Sequence, residues 1–316
     1  MMKRTDRHFR YFMRGISKHT LLYTEMVTTG ALIHGPRERL LKYHGDEHPV
    51  SLQLGGDDPQ DLTLCAKMAE DAGYDEVNLN VGCPSDRVQN GQFGACLMKR
   101  PERVADAVAA MKAAVSIPVT VKHRIGVDEL DRYEDMLNFV DIVSKADADR
   151  FSVHARKAWL KGLNPKENRE IPPLRYNEVY ELKRVRPELE IEINGGVRTA
   201  EEMATHLEHV DAVMIGRAVY ENPWLFSAVD TSWYGASAAP CSTRVEAAQR
   251  MVPYIEEHVR AGGSVFHVVR HMLGLFAGQR RGKWWRRFIS ERFTGGEGDL
   301  ATLREAIDGM SESLAA

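Results

Sequence analysis

From residue 21 to residue 218 the chain repeats one pattern. A short apolar or β-branched run gives way to polar or glycine-rich residues, and an amphipathic stretch of about 10 to 15 residues follows. That alternation predicts βα units around a parallel sheet. Strands are expected at 21–29, 49–56, 76–82, 118–126, 150–156, 189–195 and 212–218. The helix over 58–73 opens on Asp58 and Pro59, a cap and a first-turn proline, and aligns Leu62, Cys65, Ala66 and Ala69 on one stripe. The helix over 101–115 starts with proline and aligns Val104, Val108 and Met111; that over 199–210 pairs Thr199 with Glu202 in a capping box.

Most of these strands end in chemically active side chains: Gln53, Asn78 and Asn80, Lys122 with Arg124, His154 with Arg156, Asn194, and Arg217. In a barrel the C-terminal strand ends converge on one face, so these groups would share a pocket; a doubly wound sheet, the alternative, would spread them along an open edge. The predicted fold is α/β, a (β/α)8 TIM-type barrel over 1–232, a linker at 233–243 and an all-helical domain over 244–310. Pro253 is placed to kink the first helical stretch of that domain. Eight strands are needed for closure, yet the segment before residue 20 reads as a helix around HFRYFMRGI. The expectation is a first strand cut short at Met1 and Met2, or an imperfect closure.

Composition narrows the class. A chain of 316 residues with 43% hydrophobic residues can hold one barrel of ~250 residues and a small second domain. No apolar run reaches the ~18 residues of a membrane span and the basic start lacks a signal-peptide core, which predicts a cytoplasmic protein. Cysteines at 65, 83, 96 and 241 form no C-x-x-C pair, which argues against a disulfide framework and against a compact metal-ligand set.

A net charge of -3 argues against a uniformly basic surface, but two basic clusters stand out. Lys157, Lys161, Lys166 and Arg169 follow the 150–156 strand. Between 270 and 292 lie Arg270, Arg280, Arg281, Lys283, Arg286, Arg287 and Arg292 against the single acid Glu291, with Trp284, Trp285 and Phe288 interleaved. Arg280, Arg281 and Lys283 are expected in a loop. Either cluster alone is equally a solvated face; together they favour a groove that grips folded RNA while the barrel takes in one extruded base.

The candidate chemistry begins with an absence. No G-x-G-x-x-G follows a strand and no G-x-x-x-x-G-K-[ST] occurs, so a nicotinamide would be a visiting substrate. Gly195 and Gly196 follow the seventh barrel position and Gly216 and Arg217 the eighth, where barrels commonly bind phosphate; simple turns are the alternative. Lys122 suits a redox ring whose reduction develops negative charge, or else a structural salt bridge. Gln53 and Asn80 offer amides to the edge of a planar ring, or cap their strands. Cys96, in the glycine-rich loop QNGQFGACLMKR (89–100), is placed for proton donation, or is a small buried hydrophobe at a helix start. Cys83 reads as structural and Cys65 as core.

The segment LNVGCPSDRVQNGQFGACLM (79–98) resembles the signature of the flavin-dependent tRNA-dihydrouridine synthases. Residues 21–32, 119–126, 151–176, 193–198 and 210–224 are similar to the same family's core, the 151–176 segment being most like its A class, which modifies uridines 20 and 20a of the tRNA D-loop. The resemblance implies an FMN across the top of the barrel, reduced by NADPH, that delivers hydride to C6 of a flipped-out uracil, with Cys96 as the acid that protonates C5. It further implies that Gln53, Lys122, His154, Asn194, Gly195, Gly196, Gly216 and Arg217 meet the flavin. Asn80 and Arg156 would meet the base, and Lys157, Lys161, Arg169, Arg280, Arg281, Lys283, Arg286 and Arg287 the tRNA. A monomer acting without metal or membrane is expected. A flavin reductase of a free small molecule, or an RNA-binding homologue impaired by a short first strand, are the alternatives.

Overall fold

The computed structural model describes every residue except 86, 87, 90, 297 and 316, and the backbone alone of 313–315. The chain divides into two compact units: 23–42 with 50–215, and 1–22 with 43–49 and 216–316.

The first unit carries the sheet. Its strands are β1 (Leu22–Tyr23), β2 (Val27–Thr28), β3 (Val50–Gly55), β4 (Glu76–Asn80), β5 (Val119–Arg124), β6 (Phe151–His154), β7 (Ile191–Asn194) and β8 (Ala212–Met214). The order is β1-β3-β4-β5-β6-β7-β8, with β2 also on β3, and the pairings from β2 onward are parallel. β1 and β2 are two pieces of the strand expected at 21–29. Between them Thr24 Oγ1 accepts the amide of Gln53 at 3.0 Å, a side chain standing where a backbone rung would be. The sheet therefore has seven strand positions, and among the described residues β8 does not pair back to β1.

The sheet nevertheless curls strongly. Tyr23 in β1 and Arg150 at the start of β6 lie four strand spacings apart, about 19 Å in a flat sheet, yet the Arg150 guanidinium donates to the Tyr23 hydroxyl at 2.9 Å. Only a barrel-like curl brings them together. Alternation along the strands decides which side faces inward. Leu52, Leu54, Val77, Leu79, Val119, Val121, Phe151, Val153, Ile191 and Ile193 are wholly buried in the apolar layer. That layer packs beneath helices Pro59–Asp71, Pro101–Lys112 and Tyr133–Ser144, whose buried stripes include Leu62, Cys65, Val104, Val108 and Met111 as the helical spacing predicts. The intervening positions are polar and face the inside of the curl: Ser51, Gln53, Glu76, Asn78, Asn80, Thr120, Lys122, Arg150, Ser152, His154, Glu192 and Asn194.

The second unit is helical. Helix Arg7–Arg14, capped by Asp6, packs with the helices that follow residue 243: Tyr11 stacks on Tyr254 at 3.9 Å, and His8 Nδ1 lies 2.8 Å from the Tyr254 hydroxyl. Asp6 also pairs with Arg270 and His271. Pro253 cannot donate to the carbonyl of residue 249, and the helix breaks there into Arg244–Gln249 and Met251–Arg260. Helix Gly282–Thr294 buries Trp285, Ile289 and Phe293, and Leu300–Ala315 is the last helix of the unit. No helix among the described residues is long and apolar enough to cross a membrane.

Candidate active site

Parallel pairing carries the C-terminal strand ends to one rim. In register, Gln53 faces Asn78, Asn80 faces Lys122, Arg124 faces His154, and His154 faces Asn194. The polar side chains on this rim are locked to one another. Gln53 donates to Asn78 Oδ1 and Asn80 donates to Gln53 Oε1, both at 2.9 Å, while Asn78 donates to Thr120 Oγ1 at 2.9 Å. Asn80 Oδ1 in turn accepts the amides of Gly82 and Cys83 at 3.1 and 3.0 Å, which turns the chain out of β4.

Lys122 reaches across the curl. Its ammonium donates to Asn194 Oδ1, two strands away, at 3.0 Å, and Asn194 donates to the carbonyl of Met214 at 2.7 Å. Burial pulls the Lys122 ammonium down to about 8, Glu192 opposes that pull, and Arg124 adds to it. After β7, Gly195 and Gly196 take φ of +120° and +80°, backbone that a side chain would strain. The Tyr176 hydroxyl donates to the Gly195 carbonyl at 2.7 Å, and a Cβ on Gly196 would meet that hydroxyl at 2.7 Å, so the turn has room for no other residue.

Cys96 sits in the short helical segment Gly94–Lys99, half-buried. Ala95 donates to the carbonyl of Cys83 at 2.9 Å, which fastens the segment to the end of β4. Gly94 makes that approach possible: its φ is +69° and a Cβ would come within 2.6 Å of the same carbonyl. The Phe93 ring lies where a side chain at position 55 would stand, at the end of β3, and Lys99 pairs with Asp128 beyond β5 at 2.8 Å. Three anchors thus fasten the Cys96 segment beside the C-terminal ends of β3, β4 and β5. Burial pushes its thiol above the ordinary value, with the nearby Lys99 and Arg100 charges pulling the other way.

The remaining expected residues fall in varied surroundings. Arg124 is buried and donates to the carbonyls of Gly82, Lys157 and Asn168, stitching the β4 exit to the loop after β6. Asn168, which the sequence did not single out, is wholly buried and bonds both backbone groups of Trp159. Arg156 donates to the carbonyl of Pro172. The Lys157 ammonium pairs with Asp131 at 2.6 Å and lies 3.8 Å over the Trp159 ring. Lys161 is exposed and Arg169 half-buried in the same loop.

In the helical unit Gly216 is covered by Met1, whose sulfur a Cβ would meet at 3.2 Å, and Arg217 opens the short helix Arg217–Glu221. Arg280, Arg281, Lys283, Arg286 and Arg287 are exposed. Lys283 lies within helix Gly282–Thr294 rather than in a loop, because Arg281 at φ +59° starts the helix just before it. Lys283, Arg286 and Arg287 consequently share the helix face opposite buried Trp285 and Ile289. The buried Glu76, Ser152 and Glu192 and the half-buried Arg150 were also missed. The signal was available in the strict polar–apolar alternation of EVNLN, RFSVH and EIEIN. No cluster of three metal-ligating side chains exists among the described residues.

The family model for dihydrouridine synthases matches residues 1–310 of this sequence. The chain belongs to the dihydrouridine synthase family. A tRNA-dihydrouridine(20/20a) synthase of Synechocystis sp. is 60% identical over 291 residues, 92% of this chain and 87% of that one. The enzymes of that name from Vibrio parahaemolyticus and Escherichia coli K12 are each 54% identical, over 99% and 97% of this chain and 96% and 89% of theirs. Among solved structures, histamine dehydrogenase from Rhizobium sp. 4-9 superposes with a TM-score of 0.50 at 13% identity, covering 72% of this chain and 44% of that one, a likeness of fold alone. The rim thus gathers amides able to meet both donors and acceptors of a planar ring and a half-buried cation.

Proposed function

We propose that this dihydrouridine synthase reduces the C5–C6 double bond of uridines 20 and 20a in the tRNA D-loop, using FMN and, as reductant, NADPH. The observation that supports the reading is the rim on which Lys122 and the Gln53–Asn80 amide pair meet, with the Cys96 segment fastened through Ala95 to the Cys83 carbonyl just past β4.

The residues present suit FMN. Gln53 and Asn80 would address the ring edge, and Lys122 the side on which negative charge accumulates. His154 and Asn194 would flank the ring, with the strained turn at Gly195 and Gly196 next to the phosphate. By resemblance of sequence, Gly216 and Arg217 are given to the phosphate as well. Bound and reduced, FMN would supply the hydride that adds to C6. Cys96 supplies the proton at C5: its elevated pKa keeps the thiol protonated near neutrality, the state an acid needs. Asn80 and Arg156 would orient the uracil. Around the extruded base, Lys157, Lys161 and Arg169 are assigned to flanking phosphates, and the helical segment 244–310, through Arg280, Arg281, Lys283, Arg286 and Arg287, to the body of the tRNA.

The test is to incubate unmodified tRNA with protein, FMN and NADPH and to map dihydrouridine along the D-loop, in the unchanged chain and in Cys96→Ala. Dihydrouridine at 20 and 20a that depends on Cys96 is the expected result; free uridine reduced as fast as tRNA would overturn it.

A further inference from the structure

Inside the curl, beneath the rim, lie two buried carboxylates, Glu76 and Glu192, and two half-buried bases, Arg150 and Lys122, that the proposed reaction does not use directly, or uses only in part. Their partners divide unevenly. Glu76 is fully engaged, accepting from Arg150, from Ser51 at 2.9 Å, from Thr120 at 2.8 Å and from Tyr23 at 3.2 Å. Arg150 also reaches Tyr23 and Glu190. Glu192 has its hydrogen bond from the Ser152 hydroxyl, and Lys122 has its own to the neutral amide of Asn194. Setting Glu76 against Arg150 leaves one buried acid, Glu192, and one half-buried base, Lys122, and an isolated charge of either sign is costly in such a place.

Register brings those two onto one level. Lys122 pairs with Ser152, and Ser152 with Glu192, so the three side chains project from adjacent strands at the same height into the curl. Ser152 stands between, its hydroxyl committed to the carboxylate.

We propose that Glu192, oriented by Ser152, is the buried counter-ion that keeps Lys122 an ammonium beneath the cofactor, a positioning residue for the reduction. The proposal rests on the reading that Lys122 underlies the flavin. Two influences work against a charged Lys122: its burial and the like charge of Arg124 on its own strand. Asn194 and, in register on β4, Asn80 offer no charge. Glu192 is the acid set against them, and its own pKa, raised by burial, is drawn back by Arg150, Ser152 and Lys122.

The experiment follows Lys122 itself. In apoprotein carrying 13C at the lysine ε-carbons, its resonance is assigned by its loss in Lys122→Met and titrated against pH. Glu192→Gln is expected to lower the Lys122 midpoint by about one pH unit, Ser152→Ala by less, and Glu192→Asp to retain most of the original value. In protein reloaded with FMN, the midpoint potential plotted against pH bends where Lys122 loses its proton, and that bend should move down by the same amount in Glu192→Gln. Should Glu192→Gln fail to fold, as judged by its thermal melt, Ser152→Ala carries the test. An unchanged lysine midpoint overturns the proposal. A shifted midpoint with a flavin potential that neither Glu192→Gln nor Lys122→Met alters overturns the link to the cofactor, and the placement of Lys122 with it. Dihydrouridine mapping with Cys96→Ala judges the reaction separately from either result.

Discussion

Lys122 and Asn194 meet at 3.0 Å across two strand spacings, and the same asparagine hands its amide to the Met214 carbonyl. The cation is therefore aimed by β7 and β8 although it stands on β5. Replacing Lys122 by Met should leave the fold intact and slow reduction of bound FMN by NADPH on the order of 10²-fold, the scale of one lost preorganised electrostatic contact. Stopped-flow absorbance of the flavin checks this, and equal rates would remove Lys122 from the reaction.

Cys96 is expected to behave as an acid. Cys96→Ala should lower tRNA reduction by roughly 10² to 10⁴-fold while leaving flavin reduction by NADPH untouched. Because burial raises the thiol's pKa, the rate should hold steady through neutral pH and decline only above the ordinary cysteine range as the proton is lost. Single-turnover rates against pH show whether it does.

Arg124 joins three backbone carbonyls from two loops. Removing it by Arg124→Met leaves those acceptors buried and unserved, and should cost about 3 kcal/mol or more. A lowered Tm with early proteolytic cleavage in the 155–172 loop is the expected outcome.

His8 couples stability to pH. Burial lowers its pKa to about 3, against 6.5 for an ordinary histidine. Between those values the unfolded chain binds a proton that the folded chain refuses, so stability rises with pH across this window. Acidification should destabilise the helical unit by up to ~1.4 kcal/mol per pH unit, with nothing further from His8 below the folded value. Denaturant melts from pH 7 to pH 4 test this; His8→Gln should flatten the dependence.

Lys283, Arg286 and Arg287 share one exposed face, with Arg287 partly engaged by Glu291 at 3.1 Å. If they meet phosphate, replacing all three by Ala should weaken tRNA binding uniformly across sequences and reduce the slope of log affinity against log salt by about 1 per lost contact. An unchanged slope would place the tRNA elsewhere.

Much of this molecule was written locally. Period-2 and period-3.6 patterns placed all seven strand positions and the helices Pro59–Asp71, Pro101–Lys112 and Ala200–Leu207 between them, because each element must turn an apolar side to its neighbour wherever it lies. Asp58, Thr199 and Pro253 act within a turn or two of chain, and so cap or break helices as their types predict. What a strand's polar face would meet could not be read that way. Glu76 and Arg150, or Lys122 and Asn194, are separated by 74 and 72 residues, and only the curl of the sheet makes them neighbours. The sequence supplied alternation, caps and the residue types of the rim; tertiary structure decided which charges face each other, because a charge's partner depends on distance through space and not along the chain.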